Sequence, residues 1–202
     1  MKNLMSAVLL CAASFAYAGF DEGLAAHKKG DYSTAFKEFK NVAEQGGASV
    51  QALVGAMYAE GKGVPQDYAQ AAAWYKKAAE QGYASAQYNL GLLYDTGQGV
   101  SQDYAQAVAW YSKAAEQGYA SAQYNLGLMY NQGQGVPKNY KLAYILFNLV
   151  ASKGESDAVE SRDIVSKEMP PNAIADAQRI TTHLSKAKDF AAELQKLLNA
   201  QK

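Results

Sequence analysis

With 202 residues, 49% of them hydrophobic and 19% charged, the chain has the size and apolar content of one globular or repeat-built domain, not of a disordered segment. Its 19 basic and 19 acidic residues cancel, so no positive surplus exists to hold a phosphate backbone, and nucleic acid is not expected as a partner. One cysteine, Cys11, and two distant histidines, His27 and His183, leave almost no material for zinc clusters, disulfide frameworks or Cys-His nucleophile pairs; no metal and no cofactor are expected.

Residues 1–18 read as a signal peptide. One positive charge at Lys2 precedes an uncharged apolar run from Leu4 to Phe15, and Ala16-Tyr17-Ala18 offers small residues where a signal peptidase reads, which places the cut between Ala18 and Gly19. The run is well short of the roughly 20 residues a helix needs to cross a bilayer, so no transmembrane span is expected after cleavage. Leu10 before Cys11 disfavours a lipid anchor there. Cleavage removes Cys11 and Lys2, leaving a mature chain without cysteine and with a charge of minus one. The expected location is the bacterial periplasm or the exterior.

After this segment the chain repeats every 36 residues. Ala43-Glu44-Gln45-Gly46 recurs at Ala79-Glu80-Gln81-Gly82 and Ala115-Glu116-Gln117-Gly118, and Gly55 recurs at Gly91 and Gly127. Residues 66–101 and 102–137 differ at only six positions, the pairs 72/108, 76/112, 93/129, 95/131, 96/132 and 101/137, as expected of a recent duplication.

Each unit spells two helices. In helix A, from Ala84 to Thr96, Ala86, Leu90, Leu93 and Tyr94 share one face, and Gly97-Gln98-Gly99 ends it. In helix B, Ala107, Trp110, Tyr111, Ala114 and Ala115 alternate small and large residues along a broad face. Asp103 is its N-cap, with Gln106 placed to reach back in a capping-box variant that Asp67 and Gln70 repeat. Gly91 and the alanines of helix B permit close helix crossings, and the ring ladder Phe39, Tyr75, Tyr111, Phe147 fills the space between units.

These residues resemble the Sel1-like repeat family, close kin of the tetratricopeptide repeats. The resemblance rests on Ala84-Ser85-Ala86-Gln87, Leu90-Gly91, Tyr94, Gly97, Gly99-Val100, Asp103-Tyr104, Ala107, Trp110-Tyr111 and Lys113 through Gly118. It implies an all-α fold, a right-handed superhelical solenoid of helix-turn-helix repeats used as a protein-interaction scaffold, often in bacterial envelopes. The expected organisation is a tetratricopeptide-like cap at 19–46, three repeats at 47–82, 83–118 and 119–154, capping helices at 155–185 and an amphipathic helix or tail at 186–202. In that last segment Phe190, Leu194, Leu197 and Leu198 share a stripe, which can dock on the repeats, pair with a partner or second copy, or touch a membrane.

Catalysis finds little support. The glycine loops at 61–65, 97–100 and 133–137 lack a following Lys-Ser and read as turns. Glu44, Glu80 and Glu116 are a repeat apart, too distant for paired-carboxylate chemistry, and His183 has no acid partner nearby in sequence. Binding has better material. Tyr88, Leu92 and Asp95 lie opposite the packing stripe of helix A, Tyr124, Leu128 and Asn131 repeat them, and Asn89 and Asn125 stand alongside. By the resemblance this stripe lines a concave groove that binds a protein or peptide; alternatively the tyrosines only pack against neighbouring helix A side chains. An enzyme acting on cell-wall or β-lactam material and an architectural envelope protein self-associating through 186–202 are the competing classes.

Overall fold

A computed structural model describes residues 19–200, so the expected signal segment, with Cys11 and the Ala18 side of the cleavage point, lies outside the described residues. The described chain is all-α, without strands, and runs as consecutive helix-turn-helix pairs. Helix α1 (residues 19–28) precedes α2 (Tyr32–Glu44). Then come α3 (Ala48–Glu60) with α4 (Tyr68–Glu80), α5 (Ala84–Thr96) with α6 (Tyr104–Glu116), and α7 (Ala120–Gln132) with α8 (Tyr140–Ala151). The chain closes with α9 (Ser156–Ser166), α10 (Pro171–Lys186) and α11 (Phe190–Asn199). Among the described residues no helix is long and apolar enough to cross a membrane.

Two compact units result, one running to Ala86 and including Gln98–Val100, the other comprising Gln87–Gly97 and everything from Ser101. Composition had suggested a single domain. A repeat array has no common centre, because each pair packs mainly on its neighbours, so it divides more readily than a globule of the same length.

In the first unit, α3 packs on α4 where Gly55 meets the Tyr75 ring; a Cβ there would lie 2.8 Å from it. In the second, Gly91 faces Tyr111 and Gly127 faces Phe147 in the same way, at 2.8 and 2.7 Å. The ring ladder expected from the sequence, Phe39, Tyr75, Tyr111 and Phe147, is buried at every rung. Each missing side chain on helix A is thus the socket for a ring on helix B, the interlocking of small and large that close packing demands. Gly97 and Gly133, with φ of 71° and 74°, take the left-handed conformation that turns the chain from helix A toward helix B.

The N-caps follow the sequence reading in one half only. Asp67 accepts from the backbone N–H of Ala69 and Gln70, Asp103 from Gln106, and Asn139 from Leu142. The reach-back by Gln70 and Gln106 is not the bond that forms. The backbone N–H groups of Asp67 and Asp103 are already satisfied by the carbonyls of Tyr58 and Tyr94, at 3.0 and 2.9 Å, which leaves a capping-box glutamine nothing to accept. That bond also pins the helix B start to the preceding helix A.

Helix α8 departs from the amphipathic pattern, with Leu142, Ile145, Leu146, Phe147 and Leu149 all buried. It has no free face, because α7, α9 and α10 each pack against it. After Pro170-Pro171, α10 buries Ala177, Thr181 and Leu184 as the stripe predicts, and Lys141 of α8 pairs with Asp176. Of the readings open for the last segment, docking is the one observed: α11 packs on α6 and α10, burying Leu194 and Leu198.

Candidate interaction site

The helix A face of the second unit holds an open cavity of about 300 Å³. Tyr88 of α5 stands on one side, Ser121, Tyr124 and Asn125 of α7 at the centre, and Glu155 and Asp157 at the start of α9 on the other. Three of the eight residues expected to bind, Tyr88, Tyr124 and Asn125, therefore meet in one place. The helical period sets them there, since positions three and four residues apart share a face and the 36-residue repeat carries the face from α5 to α7.

The other five do not line this cavity. Asn89, Leu92 and Asn131 are half-buried elsewhere on the same helices, and Leu128 packs against the hydrophobic core. Asp95 accepts a hydrogen bond from the Tyr111 hydroxyl at 3.3 Å. Asn125 donates to that same hydroxyl at 3.1 Å, so its amide is partly committed to the framework.

The two tyrosines do more than either reading allowed. Tyr88 packs its ring on Tyr111 and Tyr119, with centroids 5.8 and 5.3 Å away, and Tyr124 packs on Phe147 at 5.4 Å. Their rings rest on helix B rings and on a loop ring, the Tyr88 hydroxyl also bonds Asn125 of the next helix A, and both tyrosines line the cavity. Tyr124 also hydrogen-bonds Ser161 of α9 at 3.1 Å. Such walls are fixed before any ligand arrives, which lowers the entropy cost of binding. Burial, the larger cause, pushes the Tyr88 phenol up, helped by Tyr119; it stays neutral at physiological pH and presents a hydroxyl.

Ser121, Glu155 and Asp157 were missed, although the repeat contained the signal. The sequence series Tyr83, Tyr119, Glu155, then Ser85, Ser121, Asp157, then Tyr88, Tyr124, Glu160 each ends in a carboxylate at α9. In the same unit Asp163 stands in place of the repeat glycine and Ser166 in place of the tyrosine, so the carboxylates read as part of a terminal cap. Neither Glu155 nor Asp157 is in an ion pair among the described residues, in contrast to Asp163, Asp176 and Glu193.

Among the described residues, His183 and Ser185 form no nucleophile pair. His183 Nε2 lies 3.9 Å from Glu193, both on the exposed flank of α10 and α11, and Ser185 spends its hydroxyl on the Thr182 carbonyl. Among the described residues no three metal-ligating side chains come together.

The comparisons with known proteins agree with this architecture. The sequence matches the Sel1 repeat over residues 48–83, 84–119 and 120–155, more than half of the chain. The chain belongs to the Sel1 repeat family. Its fold is similar to the crystal structure of c5321, a protective antigen present in uropathogenic Escherichia coli strains and displaying an SLR fold, with 31% identity and a TM-score of 0.70. That match covers 84% of this chain and 36% of the antigen, so the chain spans about a third of that protein's length. A Sel1 repeat protein from Oxalobacter formigenes is similar at 33% identity and a TM-score of 0.68, over 84% of this chain and 71% of the other. No curated protein matches. Sel1 repeat proteins are generally protein-interaction scaffolds, and the fold is typically non-enzymatic.

Proposed function

We propose that this Sel1 repeat protein is an exported, non-catalytic scaffold of the bacterial envelope that binds an extended segment of a partner protein on the helix A face of its second unit. The cavity bounded by Tyr88, Tyr124, Asn125 and by Glu155 and Asp157, neither carboxylate in an ion pair among the described residues, carries the reading. Prepacked rings supply apolar contact at low entropic cost, Ser121 and Asn125 supply polar contacts to a backbone, and the two carboxylates favour a basic side chain on the partner. The family's general role as a scaffold supports the partner being a protein. The export half of the proposal rests on residues 1–18 alone, with their single charge, apolar run and Ala16-Tyr17-Ala18.

Site-specific photocrosslinking in the native cell tests the binding reading. A photoreactive residue at Ser121 should capture a discrete partner, and one at Lys77, exposed on α4, should not. Capture from Lys77 with none from Ser121 would move the interaction to the helix B face and end the reading.

A further inference from the structure

The nearly identical stretches 66–101 and 102–137 differ at the seat of the last helix. A cavity of about 690 Å³ lies along the outer face of α6, with Val108, Ala109 and Ser112 on one wall, Val136 and Pro137 on another, and Leu198 of α11 closing one end. Two of the six positions that distinguish the sister units stand on the α6 wall itself. Val108 replaces the Ala72 of α4, and Ser112 replaces Lys76. Helix α2 also has a lysine at this repeat position, Lys40, whereas α8, whose outer side is packed by other helices, has Asn148 there. Pro137 also differs from Ser101, but Pro65 stands in the first loop, so that change is not peculiar to this seat.

The chemistry of the two changes is consistent. A valine enlarges the apolar wall, and removal of a lysine takes away an ammonium that would lose its hydration beside a docked leucine. Packed on α6 at the edge of this cavity is α11, which lends Leu198 to the lining and whose Leu194 and Leu198, four residues apart, are both buried. Its opposite face keeps Glu193 and Lys196 paired in solvent at 2.8 Å. Only the three residues Ala187-Lys188-Asp189 separate α10 from α11, and Asp189 caps the second helix through the Ala192 N–H, so α11 begins as an independent helix with its own start signal.

We propose that the outer groove of α6 is a selective docking site for an amphipathic helix carrying leucines four residues apart, that α11 is its resident occupant, and that Ser112 with Val108 is what admits it. The same site takes a free helix of that chemistry when α11 is withdrawn. Lysine at position 112 closes it.

The test uses the full chain and a labelled synthetic peptide of residues 186–202. Hydrogen exchange should show protection of residues 190–199 falling at least tenfold in Ser112→Lys and staying as in wild type in Ser112→Ala, with α7 and α8 unchanged in both. A chain carrying Leu194→Glu and Leu198→Glu, whose own α11 cannot seat, should bind the peptide at least tenfold more tightly than wild type, and adding Ser112→Lys should remove that gain. Undiminished α11 protection in Ser112→Lys overturns the proposal, as does peptide binding that position 112 does not affect or a failure of the double-glutamate chain to bind the peptide. Should Ser112→Lys lower protection throughout the unit, Val108→Ala decides: loss confined to residues 190–199 supports the site, and no loss sinks it.

Discussion

The Tyr111 hydroxyl accepts a hydrogen bond from Asn125 Nδ2 at 3.1 Å and so ties helix B of one repeat to helix A of the next. The same hydroxyl donates to Asp95 of its own repeat. One repeat further on, the ring is Phe147 and Asn131 stands in place of the acid, so the hydroxyl and its carboxylate acceptor are absent together. Asn125→Ala should therefore cost about 0.5–1.5 kcal/mol in chemical denaturation, and its effect should not add to that of Tyr111→Phe, because both remove one shared bond. Full additivity would mean that the bond contributes nothing to stability.

Buried phenols give the fold an alkaline limit. Burial pushes Tyr75 up to about 12, with Glu60 adding to the shift, and pushes Tyr111 higher still. A folded-state value above the unfolded one, near 10, means that the native chain holds protons that the unfolded chain releases. The contribution is complete below pH 10 and falls as pH rises through the folded values. The denaturation midpoint should be flat from pH 8 to 9 and decline from pH 10 to 12, with a shallower decline in Tyr111→Phe. An equal slope in that variant would remove Tyr111 from the account.

Gly91→Ala places a methyl group 2.8 Å from the fully buried Tyr111 ring and 3.4 Å from the Ala107 carbonyl, so overpacking should destabilise by about 1–3 kcal/mol. Gln134→Ala, in the loop after α7, should stay within about 0.5 kcal/mol. Comparable losses from the two would mean that the helix A to helix B crossing yields more easily than its geometry implies.

Regularity decides what the sequence discloses. The helix pairs, the ring ladder and the glycine sockets were legible because each repeats at 36 residues, so a position that looks ambiguous once is clear by its third appearance. The site was legible only in part. Tyr88, Tyr124 and Asn125 recur, whereas Glu155 and Asp157 are departures from the pattern at its edge, and a departure reads as decay until the fold brings it beside the tyrosines. The commitment of Asp95 and Asn125 to Tyr111 was hidden for another reason. A hydrogen bond between neighbouring repeats depends on the distance between helices, which a one-dimensional pattern does not contain.

Export makes a separate prediction. Mass spectrometry of the protein recovered from the periplasm should find its N-terminus at Gly19. Recovery with Met1 still attached, or from the cytoplasm alone, would defeat the localisation proposal while leaving the interaction site untouched.

The last prediction comes from a glutamine whose sister residues are satisfied and which itself is not. Gln51 Oε1 accepts from Gln81 Nε2 at 2.7 Å, and Gln87 Oε1 accepts from Gln117 Nε2 at 2.8 Å, each joining the start of a helix A to the end of the following helix B. Gln123 stands at the next rung, 1% exposed, and its Oε1 has no partner. The residue in the donor's place is Lys153, whose ammonium turns to the Gly118 carbonyl at 3.1 Å. A buried acceptor without a donor costs about 1–3 kcal/mol, whereas the Lys153 ammonium at an exposed carbonyl only exchanges that bond for water, so Lys153→Gln should stabilise the chain by about 1 kcal/mol and raise Tm by roughly 2–4 °C. Lys153→Ala, which restores no donor, should not raise it. The reverse change in the sister unit, Gln117→Lys, should orphan Gln87 and lower Tm. If Lys153→Gln and Lys153→Ala melt together, the Gln123 acceptor is satisfied by solvent in the native protein and the glutamine ladder contributes no stability at this rung.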